Sequence, residues 1–262
     1  MKIGGLQRTT LIDYPGKIAA TVFLSGCSFR CSWCYSPELV LPERIAKQPK
    51  ISEKEFFDFL KTKKGLLEGI VVCGGEPTIN KELPDFIKKI KDSGFCVKLD
   101  TNGSNPDMIE SLIKNKIVDY VAMDVKASLK AGPKFQISNF NFQSNSNYQN
   151  SRLRQGFGGQ AKYEMATNAK VDLSKIEKSV EIIKNSGIDY EFRTTVVPSI
   201  HTKEDIIQIA RDIGPAKKYY LQSFRPEKTI NPEFLKIKPY PDDFLRDIVK
   251  EISPFFEVCG LK

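Results

Sequence analysis

The chain is organised around one early junction, where the apolar run AATVFL (residues 19–24) leads into GCSFRCSWC (residues 26–34). Three cysteines, Cys27, Cys31 and Cys34, follow one another at spacings of four and three residues. A turn this short can aim three sulfur atoms at one point, and thiolate sulfur is a soft ligand that suits iron–sulfur clusters, zinc or copper(I). A 4Fe–4S cube held by three thiolates has one iron without a protein ligand. That iron can bind a substrate, as the open position of a catalytic zinc does. Zinc, a disulfide pair and ordinary buried cysteine are the other interpretations.

Length and composition indicate a folded domain with a sizeable core. The chain has 262 residues, of which 40% are hydrophobic and 27% charged, and this predicts a single domain over 1–262, although two are possible. No apolar run approaches the roughly 20 residues that span a bilayer, and the first residues lack a secretory signal. We therefore expect a cytoplasmic protein, whose six cysteines are reduced and used for metal binding or catalysis.

The net charge of +8 is weak evidence for nucleic-acid binding because of its distribution. Five positive charges fall in the segment 129–162, which contains no Asp or Glu: Lys130, Lys134, Arg152, Arg154 and Lys162. Elsewhere lysines alternate with acids, as they do on solvated helix faces. We expect no nucleic-acid partner.

Strand and helix signals alternate along most of the chain. Apolar, β-branched runs predict strands at about 18–25, 69–73, 95–99, 118–125, 189–197 and 218–224. Capping residues and periodicity predict helices at about 52–64, 82–92, 106–115, 174–185, 201–214 and 242–251. This alternation is typical of parallel βαβ units, which right-handed crossovers wind into an open barrel or a doubly wound sheet. The pattern by itself does not separate these two folds.

One segment, about 129–162, interrupts the alternation. It is rich in Asn, Gln, Ser and Gly, so it cannot bury enough apolar area to offset its ordering entropy. We interpret it as a largely disordered insert between the fourth strand and the next helix. The alternative is a docking arm for an acidic partner.

Each unusual motif follows a predicted strand, at the end where parallel α/β folds gather their functional residues. The motifs are the cysteine loop (residues 26–34), CGGEPT (73–78), DTNG (100–103), MDVK (123–126), RTTVVP (193–198) and QSFRP (222–226). Their shared position predicts one pocket at the mouth of the barrel.

The polar residues of these motifs have structural interpretations as well as functional ones. Gly-Gly-Glu-Pro and Asp-Thr-Asn-Gly are commonly turns or caps. The glycines could equally let backbone approach a ligand, Glu76 could accept a hydrogen bond from an ammonium group, and Thr101 and Asn102 could bind a ribose. Asp124 and Lys126 could simply pair with each other.

Other residue types predict partners or inert packing. Arg193 lies in an apolar strand, where an unpaired charge would be costly, so we expect a carboxylate partner. Trp33 could be core, or could pack over a cluster or a flat ring. His201, the only histidine, lies at a helix start, and we interpret it as a cap or surface residue. We interpret the cysteines outside the loop as inert buried thiols: Cys73, Cys96 and Cys259. A structural zinc site normally needs four Cys or His ligands, commonly as two separated pairs, and the sequence has no second C-x2-C.

The cysteine motif after the first strand, with Gly-Gly-Glu-Pro after the second, resembles the radical S-adenosylmethionine (radical SAM) superfamily over roughly 15–128 and 170–226. Within it, TLIDYPGK (10–17), FRTTVVP (192–198) and LQSFRP (221–226) are similar to the activating proteins of anaerobic ribonucleoside-triphosphate reductase, which are glycyl radical enzyme activases. The resemblance implies an α/β fold, an open, partial (βα)6 TIM-like barrel of parallel strands.

The resemblance also implies roles for individual residues. Cys27, Cys31 and Cys34 would hold a 4Fe–4S cluster, whose open iron is chelated by the amino and carboxylate groups of S-adenosylmethionine. Further contacts to that cofactor would come from Trp33 near the adenine, Gly74, Gly75 and Glu76 at the methionine amino group, Thr101 and Asn102 near the ribose or methionine part, and Arg193 at the carboxylate. Asp100, Thr101 and Asp124 match a monovalent-cation site of related activases.

By the same resemblance, the reduced cluster would cleave S-adenosylmethionine to methionine and a 5′-deoxyadenosyl radical. That radical would take a hydrogen atom from a glycine of a partner enzyme, anaerobic ribonucleoside-triphosphate reductase, after a low-potential donor such as flavodoxin or ferredoxin supplies the electron. Two features depart from the pattern: Tyr35 and Ser36 stand where relatives often have His and Asn, and the 129–162 insert is additional. The alternatives are a radical SAM enzyme acting on a small molecule, such as a 7-carboxy-7-deazaguanine synthase-like enzyme, and a cysteine-rich metal-binding or nucleic-acid module.

Overall fold

Eight strands form one sheet in the computed structural model, which describes residues 1–130 and 159–262. The strands are β1 (Ile3–Thr10), β2 (Ala19–Leu24), β3 (Gly69–Gly74), β4 (Cys96–Thr101), β5 (Tyr120–Asp124), β6 (Asp189–Val196), β7 (Ala216–Ser223) and β8 (Phe256–Leu261). They lie side by side in chain order, with β1 antiparallel to β2 and every later pair parallel. Sequential order with right-handed crossovers places the helices on one face, so the sheet curls into a barrel. The barrel is open, because β1 and β8 are the two ends of the sheet.

Helices alternate with the strands from β2 onward. They are α1 (Pro37–Val40), α2 (Pro42–Ile45), α3 (Glu53–Thr62), α4 (Leu83–Asp92), α5 (Pro106–Lys114), α6 (Gly159–Thr167), α7 (Leu173–Lys184), α8 (Lys203–Ile213) and α9 (Asp242–Ile252). Short 3-10 helices lie at Pro77–Ile79, Pro232–Lys236 and Ser253–Phe255. Across the described ranges, 1–130 and 159–262, no helix combines the length and the apolar character needed to cross a membrane.

The predicted fold class is confirmed, and the six predicted strands correspond to β2–β7 with bounds that shift by about two residues, as element ends commonly do. Two strands and three helices are additional: β1, β8, α1, α2 and α6. The capping box at Ser52 and Glu55 forms as predicted. The cap predicted at Ser174 was wrong, since Asp172 caps α7 and accepts a hydrogen bond from the Ser174 amide.

The amino end of the barrel interior is filled by the chain itself. A small buried apolar cluster occupies it, made of Tyr14, Ala19, Val71, Tyr120 and Ala122. The Tyr14 ring comes from the β1–β2 loop and packs against the Tyr120 ring at 6.0 Å between centroids. This end of the barrel is therefore closed by apolar packing, and the interior is reached from the carboxyl ends of the strands.

The two ends of the predicted insert meet at one place. The Gly159 amide donates to the Lys130 carbonyl at 3.0 Å, and the buried Asp212 carboxylate on α8 accepts from the Leu129 amide at 2.8 Å. Gly159–Lys162, predicted as part of the insert, are the start of α6. The remaining residues, 131–158, lie outside the described ones, so the predictions of a disordered segment or a docking arm fall there.

Candidate functional site

The cysteine loop (residues 26–34) begins at the carboxyl end of β2 and rests on the Gly-Gly-Glu loop after β3. The Gly75 amide donates to the Leu24 carbonyl at 2.9 Å, and the Glu76 amide to the Gly26 carbonyl at 2.7 Å. A Cβ on Gly75 would lie 2.0 Å from the Gly26 oxygen, and a Cβ on Gly74 would lie 2.2 Å from the Leu24 oxygen. Both glycines are therefore required for this contact between the two loops, because any side chain would separate them.

The three thiols of the loop are withdrawn from water. Cys31 is buried, Cys27 and Cys34 are partly buried, and all three are free. Burial raises the pKa of Cys27 to about 11 and that of Cys31 to about 12, and it raises the pKa of Cys34 as well. The positive charge of Lys126 acts on all three in the opposite direction. Ionisation of these thiols at neutral pH therefore requires further positive charge, which a bound metal centre provides.

The donor set fits an iron–sulfur cluster by its chemistry. In residues 1–130 and 159–262, no three His, Cys, Asp or Glu side chains form a group that could hold a metal ion. A single zinc ion needs its sulfurs at about 2.3 Å from one point. A 4Fe–4S cube uses one iron for each thiolate, so its sulfurs stand further apart. Three free, soft thiols on one partly buried loop, with the positive charge of Lys126 acting on each, are a donor set that such a cluster could use.

Helix α6 braces one side of the cysteine loop. The Trp33 indole N–H donates to the Ala166 carbonyl at 3.1 Å, and the Phe29 ring meets the Tyr163 ring edge-on at 6.4 Å. Trp33 is buried, and the Lys126 ammonium lies 4.9 Å from the centroid of its indole. The tryptophan is thus fixed between α6 and a cation, with its ring beside two cysteines. Sequence reasoning missed α6, because it lies partly in the segment interpreted as the insert.

Glu76 is a buried junction between the ends of β3 and β4. Its carboxylate accepts hydrogen bonds from the Thr78 amide (3.1 Å) and hydroxyl (2.6 Å), from the Thr101 hydroxyl (2.8 Å) and from the Asn102 amide (2.6 Å). Burial raises the pKa of Glu76, and these hydrogen bonds oppose the rise. The carboxylate therefore already has several protein donors before any ligand is considered.

Asn102 reaches from the end of β4 to the cysteine loop. Its side-chain amide donates to the Ser28 hydroxyl at 3.1 Å and lies 3.8 Å from the Cys27 sulfur. The Cys27 sulfur also accepts from the Phe29 amide at 3.4 Å. Hydrogen bonds to cluster sulfurs help set cluster reduction potentials. Thr101 and Asn102 thus lie at the site, where they contact Glu76 and the cysteine loop, and their roles toward the cofactor stay predictions.

Arg193 lies inside the barrel mouth between two carboxylates. Its guanidinium donates to Asp100 and to Asp124, each at 3.0 Å. Lys98 pairs with Asp100, and Lys126 lies 3.5 Å from Asp124. Burial tends to raise the pKa of both aspartates, but the neighbouring cations outweigh it and lower both pKa values. The structure thus gives Arg193 the carboxylate partner that its place in an apolar strand predicts.

The residues predicted for a monovalent cation divide between two networks. Asp100 and Asp124 both face the Arg193 guanidinium, whereas the Thr101 hydroxyl donates to Glu76. The cation site stays a prediction. The pairing of Asp124 with Lys126, weighed from the sequence, is present.

His201 is buried, so its interpretation as a cap or surface residue was wrong. Only 1% of it is exposed, and Thr202 is the residue that caps α8. The Val197 amide donates to Nδ1 of the imidazole at 3.0 Å, which leaves Nε2–H to donate to the Lys126 carbonyl at 2.9 Å. The histidine therefore fixes the backbone of Lys126. Its apolar neighbours in sequence were the only available signal of burial.

Comparisons with known proteins agree with this geometry. Residues 21–213 match the family model described as the Radical SAM superfamily. A Methanocaldococcus jannaschii protein named as a glycyl-radical enzyme activating enzyme is 31% identical over 263 residues, which cover 97% of this chain and 93% of that protein. The pyruvate formate-lyase-activating enzyme of Clostridium pasteurianum is 31% identical over 135 residues, 48% of this chain and 52% of that enzyme.

Two further matches are more limited. The 7-carboxy-7-deazaguanine synthase of Aquifex aeolicus is 33% identical over 81 residues, 31% of this chain and 34% of that enzyme. The crystal structure of SuiB from Streptococcus suis bound to S-adenosylmethionine covers 92% of this chain and 51% of SuiB, with a TM-score of 0.56 and 14% identity. This last likeness concerns the fold alone.

Proposed function

This chain belongs to the radical SAM superfamily and, within it, to the glycyl-radical enzyme activating enzymes, and we propose that it installs a glycyl radical on a partner enzyme. Enzymes of this superfamily use a 4Fe–4S cluster and S-adenosylmethionine. The observation that carries the proposal is the likeness to an activating enzyme along 97% of the chain. The proposed site is the partly buried cysteine loop at the barrel mouth, which α6 and the Gly-Gly-Glu loop hold in place.

In this proposal Cys27, Cys31 and Cys34 hold the cluster. When bound, the cluster and S-adenosylmethionine would supply the one-electron chemistry needed to remove a hydrogen atom from a glycine of the partner. The protein contributes binding, orientation and exclusion of water. Burial keeps solvent from the Cys31 thiol, and Lys126 offsets part of the negative charge of three thiolates.

The remaining site residues surround the space in front of the loop. We propose that S-adenosylmethionine lies between the cysteine loop and the ends of β3–β6. Its neighbours would be Trp33, Gly74, Gly75, Glu76, Thr101, Asn102 and Arg193. Glu76 and Arg193 already have protein partners. Their contribution is therefore to hold neighbouring groups in place as much as to contact the cofactor.

We propose anaerobic ribonucleoside-triphosphate reductase as the partner, and flavodoxin or ferredoxin as the electron donor. The support for the reductase is the set of three motifs at residues 10–17, 192–198 and 221–226. We also propose that residues 1–262 form one domain, since the sheet continues in chain order from β1 to β8. A small-molecule substrate is favoured less, because the likeness to the deazaguanine synthase covers only 31% of the chain.

Anaerobic reconstitution tests the proposal. The protein is loaded with iron and sulfide, reduced, and given S-adenosylmethionine; we expect release of 5′-deoxyadenosine. Addition of anaerobic ribonucleoside-triphosphate reductase should then produce a glycyl radical doublet in the EPR spectrum, and pyruvate formate-lyase, added in a parallel sample, should not.

Different outcomes would contradict the partner enzyme, the activase activity or the cleavage of S-adenosylmethionine. A doublet on pyruvate formate-lyase alone would replace the partner and keep the activase. Cleavage of S-adenosylmethionine with no doublet on either enzyme would contradict both partners. Absence of cleavage by a fully loaded protein would contradict the function itself.

A further inference from the structure

Tyr35 directly follows the third cysteine and has no part in the function proposed above. Its ring stacks on Phe224, with centroids 6.1 Å apart and planes at 21°, and it meets the Trp33 ring edge-on at 6.4 Å. Phe224 is 1% exposed and lies just after β7. Tyr35 therefore joins the cysteine loop to a buried residue at the end of β7.

The hydroxyl of Tyr35 makes a second, directional contact with the same strand end. The Arg225 amide donates to the Tyr35 oxygen at 2.8 Å. Arg225 lies beyond the residues of β7 that pair with β8, Ala216–Leu221, so this amide is outside the strand ladder. A phenylalanine at this position would keep the ring contacts and lose this hydrogen bond.

Two neighbouring contacts run in the same direction. The Asn231 amide donates to the Ser32 carbonyl at 2.8 Å, and Lys228 forms an ion pair with Glu38. The segment after β7, residues 224–231, thus contacts the cysteine loop and the helix that follows it. Further supports of the loop come from Gly75 after β3, from Asn102 after β4, from Leu39 in α1 and from Ala166 in α6.

We propose that Tyr35 is a positioning residue for Cys34, which it fixes against the end of β7. The inference rests on the proposed function, because it requires that Cys27, Cys31 and Cys34 hold the cluster. In this proposal the motif at 221–226 supports the cysteine loop, because its Phe224 ring and Arg225 amide are the partners of Tyr35. Movement of Cys34 relative to the other two thiols would alter the cluster they share.

A matched pair of variants tests this. Tyr35→Phe removes one hydroxyl group, which accepts a hydrogen bond from the Arg225 backbone amide beside the Phe224 ring. Tyr190→Phe removes the same arrangement at the other end of the barrel, where the Lys217 amide donates to the Tyr190 oxygen at 3.1 Å and the ring lies 5.4 Å from Phe192. Tyr35→Leu, which also removes the ring contacts, extends the series. Each full-length protein is reconstituted anaerobically.

Three properties are then measured: loss of the cluster to a chelator, the midpoint potential, and the EPR spectrum of the reduced cluster with and without S-adenosylmethionine. Tyr35→Phe should lose its cluster about fivefold faster than the wild type, the effect of about one hydrogen bond. It should also shift the potential and the EPR spectrum, and Tyr35→Leu should shift both further. Tyr190→Phe should match the wild type in all three.

The result that overturns the inference is a Tyr35→Phe protein that behaves as Tyr190→Phe does in all three measurements. Equal thermal stability of the two apo variants would show that any difference arises at the cluster. If the wild-type protein itself takes up no cluster, the proposed function fails instead, and the two failures are distinguished.

Discussion

The two ends of the barrel interior are built from opposite kinds of side chain. The amino end holds the apolar cluster around Tyr14 and Tyr120. The carboxyl end holds Asp100, Asp124 and Arg193 in hydrogen-bonded contact, with the cysteine loop above them. Apolar burial stabilises without positioning anything, whereas buried charges must be paired and so become fixed. The barrel interior therefore changes along its axis from apolar packing to paired charge, with buried Glu191 between them, 3.0 Å from the Tyr120 hydroxyl and 3.8 Å from Arg193. Changes at the two ends should therefore have different effects.

The largest expected effect is at the loop itself. Cys31→Ser should abolish the cluster absorbance and reduce S-adenosylmethionine cleavage to background, because it removes the most buried of the three thiols. Cys259→Ser on β8 is the control and should retain both. Full cleavage by the Cys31 variant would remove the cysteine loop from the mechanism. Iron and sulfide content, with the rate of 5′-deoxyadenosine formation, measures this.

Arg193→Met should cost about 3 kcal/mol of unfolding free energy, since it leaves the partly buried Asp100 and Asp124 carboxylates without their shared cation. Urea unfolding of the apo protein measures it. Lys250→Met is the control, because the Lys250–Asp247 pair is exposed and should contribute at most about 0.5 kcal/mol. Equal losses in the two variants would mean that the charges at the barrel mouth are not effectively buried.

Tyr14→Ala should cost about 3 kcal/mol of unfolding free energy, through the cavity it leaves at the amino end. The loss should come without any change in the midpoint potential or EPR spectrum of the cluster, both measured after reconstitution. A changed spectrum would contradict the separation of the two ends, because it would couple the apolar cluster to the cysteine loop.

The smallest effect concerns pH. The folded protein lowers the pKa of Asp124, so this carboxylate stabilises the fold above its unfolded pKa of about 3.9, and the contribution is lost as pH falls through the lower folded value. The stability difference between wild type and Asp124→Asn should therefore be largest near neutral pH and should narrow in acid. Denaturant unfolding at a series of pH values follows it, and a difference that widens in acid would contradict the sign.

The fold could be predicted wherever a local pattern carried the information. The β-branched runs located β2–β7, and their alternation with helices limited the topology to two candidates. Strand β1, IGGLQRTT, was missed because it is polar and rich in glycine and pairs with β2 at the edge of the sheet. Helix α6 was missed because it begins inside the segment interpreted as an insert, and its partners Trp33 and Phe29 lie far away in the chain.

The sequence indicated which residues belong to the site better than it indicated which of them contact one another. An arginine in an apolar strand predicts a carboxylate, but nothing local indicates that Asp100 and Asp124 supply it from strands β4 and β5. His201 was misjudged because its partner, the Lys126 carbonyl, lies 75 residues away. Long-range pairing of this kind depends on the register of the sheet, which the sequence pattern leaves open.

The contact between Lys130 and Gly159 has a consequence for how this chain can change. Because one hydrogen bond joins these residues, the described structure ends and resumes at two adjacent points. Closing a loop costs more as it lengthens, but each doubling adds only about 0.6 kcal/mol. Peptides of different lengths could therefore be placed between Lys130 and Gly159 with little change in the free energy of folding. Evolution or an engineer could use this position for a tag, a sensor or a tether.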